Sequence, residues 1–127
     1  MAKPPTLTRA EARKATRWFQ KRLGIQDWTI KLDVQDDVPR WGRDDADDGT
    51  LGMTMTCAPY KEATIWIAPG RHAKGGDWPL ATLFHELLHV VAHDTGVESG
   101  ERLPTEAQEY VHNRIGDLLA AAYRKGL

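Results

Sequence analysis

The sequence has little of what several protein classes require. It contains one cysteine, Cys57, in 127 residues, so an internal disulfide and a structural zinc site built from cysteines are both excluded. Its apolar runs are only a few residues long, which is too short to cross a bilayer. Residues 1–5 contain no apolar segment of the kind that a secretion signal carries. We therefore expect a cytoplasmic protein with no membrane partner.

Length and composition favour one ordinary globular domain. The chain has a mass of 14.3 kDa, and 41% of its residues are hydrophobic and 28% are charged. These fractions are close to average usage and are not typical of disordered or fibrous proteins. We predict a single domain over residues 1–127, with residues 1–6 as a flexible N-terminal tail.

Charge is unevenly distributed although the net charge is only −1. Residues 1–31 carry a net +6, residues 32–60 a net −5, and residues 61–127 a net −2. The bases Arg9, Arg13, Arg17 and Lys21 recur at i+4 spacing and would form one stripe on a helix. Because no known nucleic-acid motif accompanies them, the stripe favours a solvated helix face, and nucleic acid is the weaker hypothesis for a partner.

Hydrophobic periodicity predicts an α+β domain. A capping box at Thr8–Glu11 and apolar residues at helical spacing predict a first helix that stops at Gly24. Alternating apolar and polar residues then predict three short strands near residues 28–34, 51–57 and 63–68. An apolar helical stripe begins near Trp78 and ends near Gly96, and a last helix is predicted from about Thr105 to Tyr123.

The second predicted helix contains the H-E-x-x-H pattern, formed by His85, Glu86 and His89. Four residues are about one helical turn, so both imidazoles emerge on the same side and can bind one metal ion. Zinc lowers the pKa of a bound water to about 7, and Glu86 lies where it can act as the general base for that water. The pattern predicts one Zn²⁺ ion and hydrolytic chemistry.

A catalytic zinc site usually has a third protein ligand, and the last helix offers candidates for it. We favour Glu109 over Glu106, because Asn113 follows Glu109 by one turn and could accept the spare N–H of a ligating imidazole. His112 is a further option on that helix. His93 is disfavoured as a ligand because it lies about 12 Å along a straight helix from the first histidine, and we expect it beside the ligands or facing substrate.

The segments Leu83–Val91 and Glu109–Ile115 resemble the small zincin-like metallopeptidase domains common in phages and prophages. They are more distantly similar to the ImmA/IrrE and SprT-like groups. The resemblance covers about the last third of the chain, and it implies a minimal gluzincin. In that case His85, His89 and a downstream glutamate would be the ligands, and Glu86 the base.

The chain departs from these families in two respects. It has no cysteine-rich zinc ribbon and no later histidine-containing ligand motif of the SprT-like kind. It also lacks the E-x-x-x-D pattern of larger gluzincins, since Asn113 stands where the aspartate would be.

The strand at residues 63–68 immediately precedes the motif helix, so we expect it to be the sheet edge that holds an extended peptide substrate. Trp66, on the more polar side of that strand, is a candidate substrate contact. The predicted function is a zinc metallopeptidase acting on a peptide or protein. The alternative is a weakly active or inactive zincin-fold binding module of phage origin, which acts on a host or virion partner, including one associated with nucleoprotein.

Overall fold

The computed structural model describes residues 6–72, 78–98 and 105–127. Within these residues the order of elements is α1 (Arg9–Leu23), β1 (Thr29–Val34), β2 (Gly52–Cys57), β3 (Glu62–Ile67), α2 (Trp78–Asp94) and α3 (Glu106–Arg124). The α+β class and the predicted order are confirmed. The predicted flexible tail lies outside the described residues apart from Thr6. None of the described helices is both long and apolar enough to cross a membrane.

Helix α1 begins and ends at the residues that its sequence signals. The Thr8 side chain accepts a hydrogen bond from the backbone N–H of Glu11, and the Glu11 carboxylate accepts one from the backbone N–H of Thr8. Gly24 follows the last turn with a φ of 74°, the left-handed conformation that glycine adopts most readily. Local sequence therefore determines both ends of α1.

The three strands form one mixed sheet in the order β1-β3-β2. Strand β1 pairs parallel to β3, and β2 pairs antiparallel to β3 on its other side. The prediction that residues 63–68 form a free edge is wrong, because β3 is the central strand. The long connection between β1 and β2 allows β3 to insert between them.

The helices cover one face of the sheet and enclose the core. The core combines residues from α1, β3, α2 and α3, of which the fully buried ones include Phe19, Ile65, Leu83, Phe84 and Leu87. In β2 the alternation is real, but the faces are opposite to those expected. Cys57 and Met55 are exposed, whereas Thr54 faces helix α2. The sequence pattern puts Cys57 with Met55 on the apolar side of the strand and predicts an inert small hydrophobe there, and this prediction is wrong about its burial.

Helices α2 and α3 pack closely and run in opposite directions. Glu109 near the start of α3 meets His85 and His89, whereas Gly116, two turns later, meets the backbone of Ala81 and His85. A Cβ at position 116 would come within 3.0 Å of the Ala81 carbonyl oxygen. The small residues Gly116 and Ala120 on this side of the last helix predict a close approach to the motif helix, and the contacts of Gly116 confirm it. The approach brings the start of α3 to the H-E-x-x-H motif.

Candidate metal centre

Three side chains from two helices meet at one point. The Nε2 atoms of His85 and His89 lie 3.2 Å apart on consecutive turns of α2. The Glu109 carboxylate of α3 places Oε2 at 3.2 Å from the first of these atoms and Oε1 at 3.1 Å from the second. One metal ion could contact all three residues. The structure thus brings together both motif histidines and the glutamate that the sequence favours as third ligand.

Two of the other predicted ligands, Glu106 and His93, belong to neither group of potential ligands that the described residues form. Glu106 is exposed to solvent and belongs to no group of potential metal ligands among the described residues. His93 is also outside those groups, because α2 remains helical through Asp94. The Nε2 atom of His93 lies 3.8 Å from the Glu98 carboxylate. Burial lowers the pKa of His93, an effect that the nearby Glu98 opposes.

Glu98 is a functional residue that the sequence did not reveal. Its buried carboxylate lies 2.9 Å from Nδ1 of His89 and 2.9 Å from Nε2 of His112. Burial alone would raise the pKa of Glu98, but hydrogen bonds from His112 and His89 outweigh that effect, so the pKa is lowered. Glu98 follows the turn at Gly96, and no helical spacing or known motif links it to His89.

This carboxylate occupies the role that we predicted for Asn113. Asn113 is exposed and lines the same cavity as His85, but it makes no hydrogen bond to either motif imidazole in the segments described. The prediction of Asn113 as the imidazole's acceptor is therefore wrong. Nδ1 of His85 is buried and has no hydrogen-bond partner among the described residues.

Glu98 also favours a cation between the first three residues. A neutral imidazole has an N–H on one ring nitrogen and a lone pair on the other. If His89 donates its Nδ1–H to Glu98, the lone pair of its ring is therefore on Nε2. That lone pair faces the Glu109 carboxylate oxygen at 3.1 Å. Two acceptors at this distance repel each other unless a proton or a cation lies between them. A metal ion is thus chemically compatible with these donors.

A second group of possible ligands consists of His89, Glu98 and His112. Here each carboxylate oxygen already lies at hydrogen-bond distance from an imidazole nitrogen. These polar atoms are therefore satisfied without an ion. The first group is therefore the better candidate for an ion, and Glu98 is placed to orient the imidazole of His89.

Glu86 is buried beside this centre. Its Oε2 lies 3.8 Å from Nε2 of His85, and its Oε1 accepts a hydrogen bond of 2.7 Å from the Thr54 hydroxyl of β2. Burial raises the pKa of Glu86, whereas His85, His89 and the Thr54 hydrogen bond lower it in part. A raised pKa brings a carboxylate closer to the range in which it can both accept and return a proton.

A cavity of about 260 Å³ opens onto the centre. Its wall includes Leu51 and Gly52 at the start of β2, together with His85, Glu86 and Glu109. The edge strand beside the motif helix is therefore β2, not β3. Trp66 is fully buried and donates from Nε1 to the carbonyl of Gln35, so the prediction that it contacts substrate is wrong.

Comparison with protein-family models, with curated proteins and with solved structures finds no match to this chain. The support for a metal centre therefore comes from the geometry of the residues themselves. Two imidazoles and a carboxylate converge on one point, a buried carboxylate lies beside them, and a cavity gives access from solvent.

Proposed function

We propose that this chain is a zinc-dependent metallopeptidase of the gluzincin type. The observation that carries the proposal is the convergence of His85, His89 and Glu109. The two Nε2 atoms lie 3.2 Å apart, each lies 3.1–3.2 Å from a different carboxylate oxygen of Glu109, and Glu86 is adjacent. Motif spacing alone supplies two of these ligands. The fold independently brings the third from another helix.

The donor set supports zinc. Two imidazoles and one glutamate form the ligand set found in catalytic zinc sites, which keep a fourth position open. Tetrahedral zinc with bonds of about 2.0–2.1 Å requires ligand atoms about 3.3 Å apart. The 3.2 Å between the two imidazole nitrogens fits that requirement closely, and each nitrogen has one Glu109 carboxylate oxygen at a similar distance. Nitrogen and oxygen donors of these kinds are those that zinc accepts readily.

Each nearby side chain has a task in peptide hydrolysis. Zinc bound here would supply Lewis-acid polarisation of the scissile carbonyl and acidification of the attacking water. Glu86 accepts the proton of that water and returns it to the leaving amine, while the Thr54 hydroxyl holds the carboxylate in place. Strand β2 is paired on one side only among the described residues, so its other side offers backbone groups to an extended peptide.

The decisive experiment compares the wild type with Glu86→Gln. Zinc content is measured by atomic absorption, and cleavage is measured on casein and on a fluorogenic peptide library. We expect both proteins to bind about one zinc ion, and the variant to lose a factor of about 10²–10⁴ in cleavage rate, the usual contribution of a general base. Purified protein that takes up no zinc, or a variant as active as the wild type, would contradict the proposal.

The Glu86→Gln variant also distinguishes a peptidase from the alternative function that the sequence predicts. A zincin-fold binding module would bind zinc, lose stability with His85→Ala, and retain its biological effect with Glu86→Gln. A peptidase loses that effect with Glu86→Gln even though its zinc content and stability are unchanged.

A further inference from the structure

Helix α1 and the outer strand β1 enclose a groove of about 490 Å³ on the side of the sheet away from β2. Four cationic side chains line it, namely Arg9, Arg13, Arg17 and Lys31, and none of its lining residues is acidic. The groove shares no lining residue with the cavity at the metal centre. It is therefore a separate surface of the molecule.

The cations of this groove have no anionic partner in the part of the chain that the structure describes. In residues 6–72, 78–98 and 105–127, no ion pair joins any of the four to a carboxylate. Arg9 donates to the backbone carbonyl of Leu32, which anchors the guanidinium beside β1. Glu11, the acid on α1, is engaged in the capping box and does not line the groove. The positive charge is therefore available to an external anion.

The spacing of the arginines suits a linear polyanion. Residues at i, i+4 and i+8 follow one another along a helix at about 6 Å per step, so the three guanidinium groups form a row rather than a point. Guanidinium groups bind phosphate oxygens in bidentate fashion and are the preferred side chains for that task. Thr16 also lines the groove, and its buried hydroxyl oxygen has no hydrogen-bond partner among the described residues.

The packing of α1 argues against a membrane as the anionic partner. An interfacial helix must insert an apolar face between lipids, but Ala12, Ala15 and Phe19 of α1 are fully buried against the core. The groove also lacks aromatic side chains, so it offers no platform on which bases could stack. The groove therefore favours contact with the phosphate backbone of a nucleic acid, without recognition of its bases.

We propose that this groove binds the sugar-phosphate backbone of a nucleic acid independently of its sequence. The weaker hypothesis from the sequence thus gains support from a feature that the sequence does not show, the unpaired groove between α1 and β1. The inference does not depend on peptidase activity, because Glu86→Gln leaves the groove unchanged.

The test measures binding of the full chain to fluorescein-labelled DNA, duplex and single-stranded, by fluorescence anisotropy between about 50 and 200 mM salt. The variant carries Arg9→Gln, Arg13→Gln and Arg17→Gln. The control carries Lys14→Gln, Arg43→Gln and Arg114→Gln, which change the net charge equally at exposed positions outside the groove. Each lost phosphate contact to duplex lowers the salt slope by about 0.9, so the groove variant should lose about a hundredfold in affinity near 0.1 M salt, and the control should not.

Arg13→Gln with Arg17→Gln, leaving the Arg9 anchor intact, provides a second variant if the triple variant does not fold by circular dichroism. This double variant loses two phosphate contacts, so its salt slope should fall by about twice the amount expected for one contact. The proposal is overturned if neither form of DNA binds at the lowest salt, if the control loses as much affinity as the groove variant, or if anionic phosphatidylserine vesicles bind more tightly than DNA.

Discussion

Glu98 is not one of the three candidate ligands, but its carboxylate contacts one of them, His89. By accepting from Nδ1 of His89 it determines which nitrogen of that ring is free to bind metal. We expect Glu98→Gln to weaken zinc binding by about 10- to 100-fold, the usual effect of removing such an acceptor. Titration against a chromophoric chelator measures this affinity directly.

The control for that variant is Glu106→Gln, which removes the same charge from an exposed position on α3. It should bind zinc like the wild type. If Glu98→Gln abolished zinc binding while Glu109→Gln left the affinity unchanged, the ion would belong to the group of His89, Glu98 and His112, and our assignment would be wrong.

Thr54 provides a second test at the scale of one residue. Its hydroxyl stabilises the ionised form of Glu86, whose pKa is already raised by burial. Removal of this hydrogen bond in Thr54→Val should raise that pKa further, because the charged form loses its donor. The acid limb of the pH profile of kcat/KM should therefore move to higher pH, with the base protonated and inactive over a wider range.

Thr54→Ser retains the hydroxyl and should restore the acid limb of the wild type. An equal shift in both variants would mean that Thr54 acts through packing rather than through its hydrogen bond. Peptide cleavage measured across the acid range distinguishes the two outcomes, provided that both variants bind zinc like the wild type.

The residues of the centre differ in how far sequence could identify them. His85, Glu86 and His89 are fixed relative to one another by helical geometry, so their convergence follows from spacing alone. Glu98 and Thr54 reach the same place through a turn and through the sheet, and their positions depend on tertiary packing. Asn113 illustrates the opposite error, because a plausible helical position did not ensure a hydrogen bond.

At the scale of secondary structure, the metal centre depends on how closely α3 approaches α2. Gly116→Ala would place a methyl group against backbone atoms of Ala81 and His85 at 3.0–3.2 Å. Backbone cannot rotate away as a side chain can, so α3 must shift as a unit, and Glu109, two turns earlier, must shift with it. We expect a loss of about 1–3 kcal/mol in the free energy of unfolding and weaker zinc binding.

Urea denaturation and zinc titration of Gly116→Ala measure these two effects. Leu118→Ala, at an exposed position on the same helix, is the matched control and should change neither. Helix propensity alone would make the alanine variant more stable than the wild type by about 0.5–1 kcal/mol. That result would show that a methyl group fits between the two helices without displacing them.

The strands show where periodicity stops being informative. Alternation correctly located all three strands, because side chains on a strand point to opposite faces in turn. It predicted the wrong face of β2 as the one that meets the helices, because Met53, Met55 and Cys57 are more apolar than the threonines between them. The threonine face is inward because Thr54 bonds to Glu86 of α2. A functional hydrogen bond thus overrides the apolar pattern.

For the whole molecule, an ion at this centre would join two helices that are separate in the sequence. His85 and His89 belong to α2 and Glu109 to α3, so a bound ion links elements that otherwise associate through packing. Metal that binds the folded chain and not the unfolded chain must stabilise the fold by linkage. Stability and metal occupancy are therefore coupled throughout the domain.

Removal of metal should accordingly lower the melting temperature of the entire domain. Zinc at about 100 times its Kd adds about 2.7 kcal/mol to the free energy of unfolding, which for a chain of this size corresponds to roughly 10 °C. Differential scanning calorimetry with excess zinc and with a chelator measures the difference. Glu109→Gln removes the α3 ligand and should show a much smaller zinc-dependent shift of the melting temperature. Glu106→Gln should show the same shift as the wild type. A melting temperature unaffected by zinc in the wild type would contradict an ion shared between α2 and α3, because no ligand can bind the folded state preferentially without stabilising it.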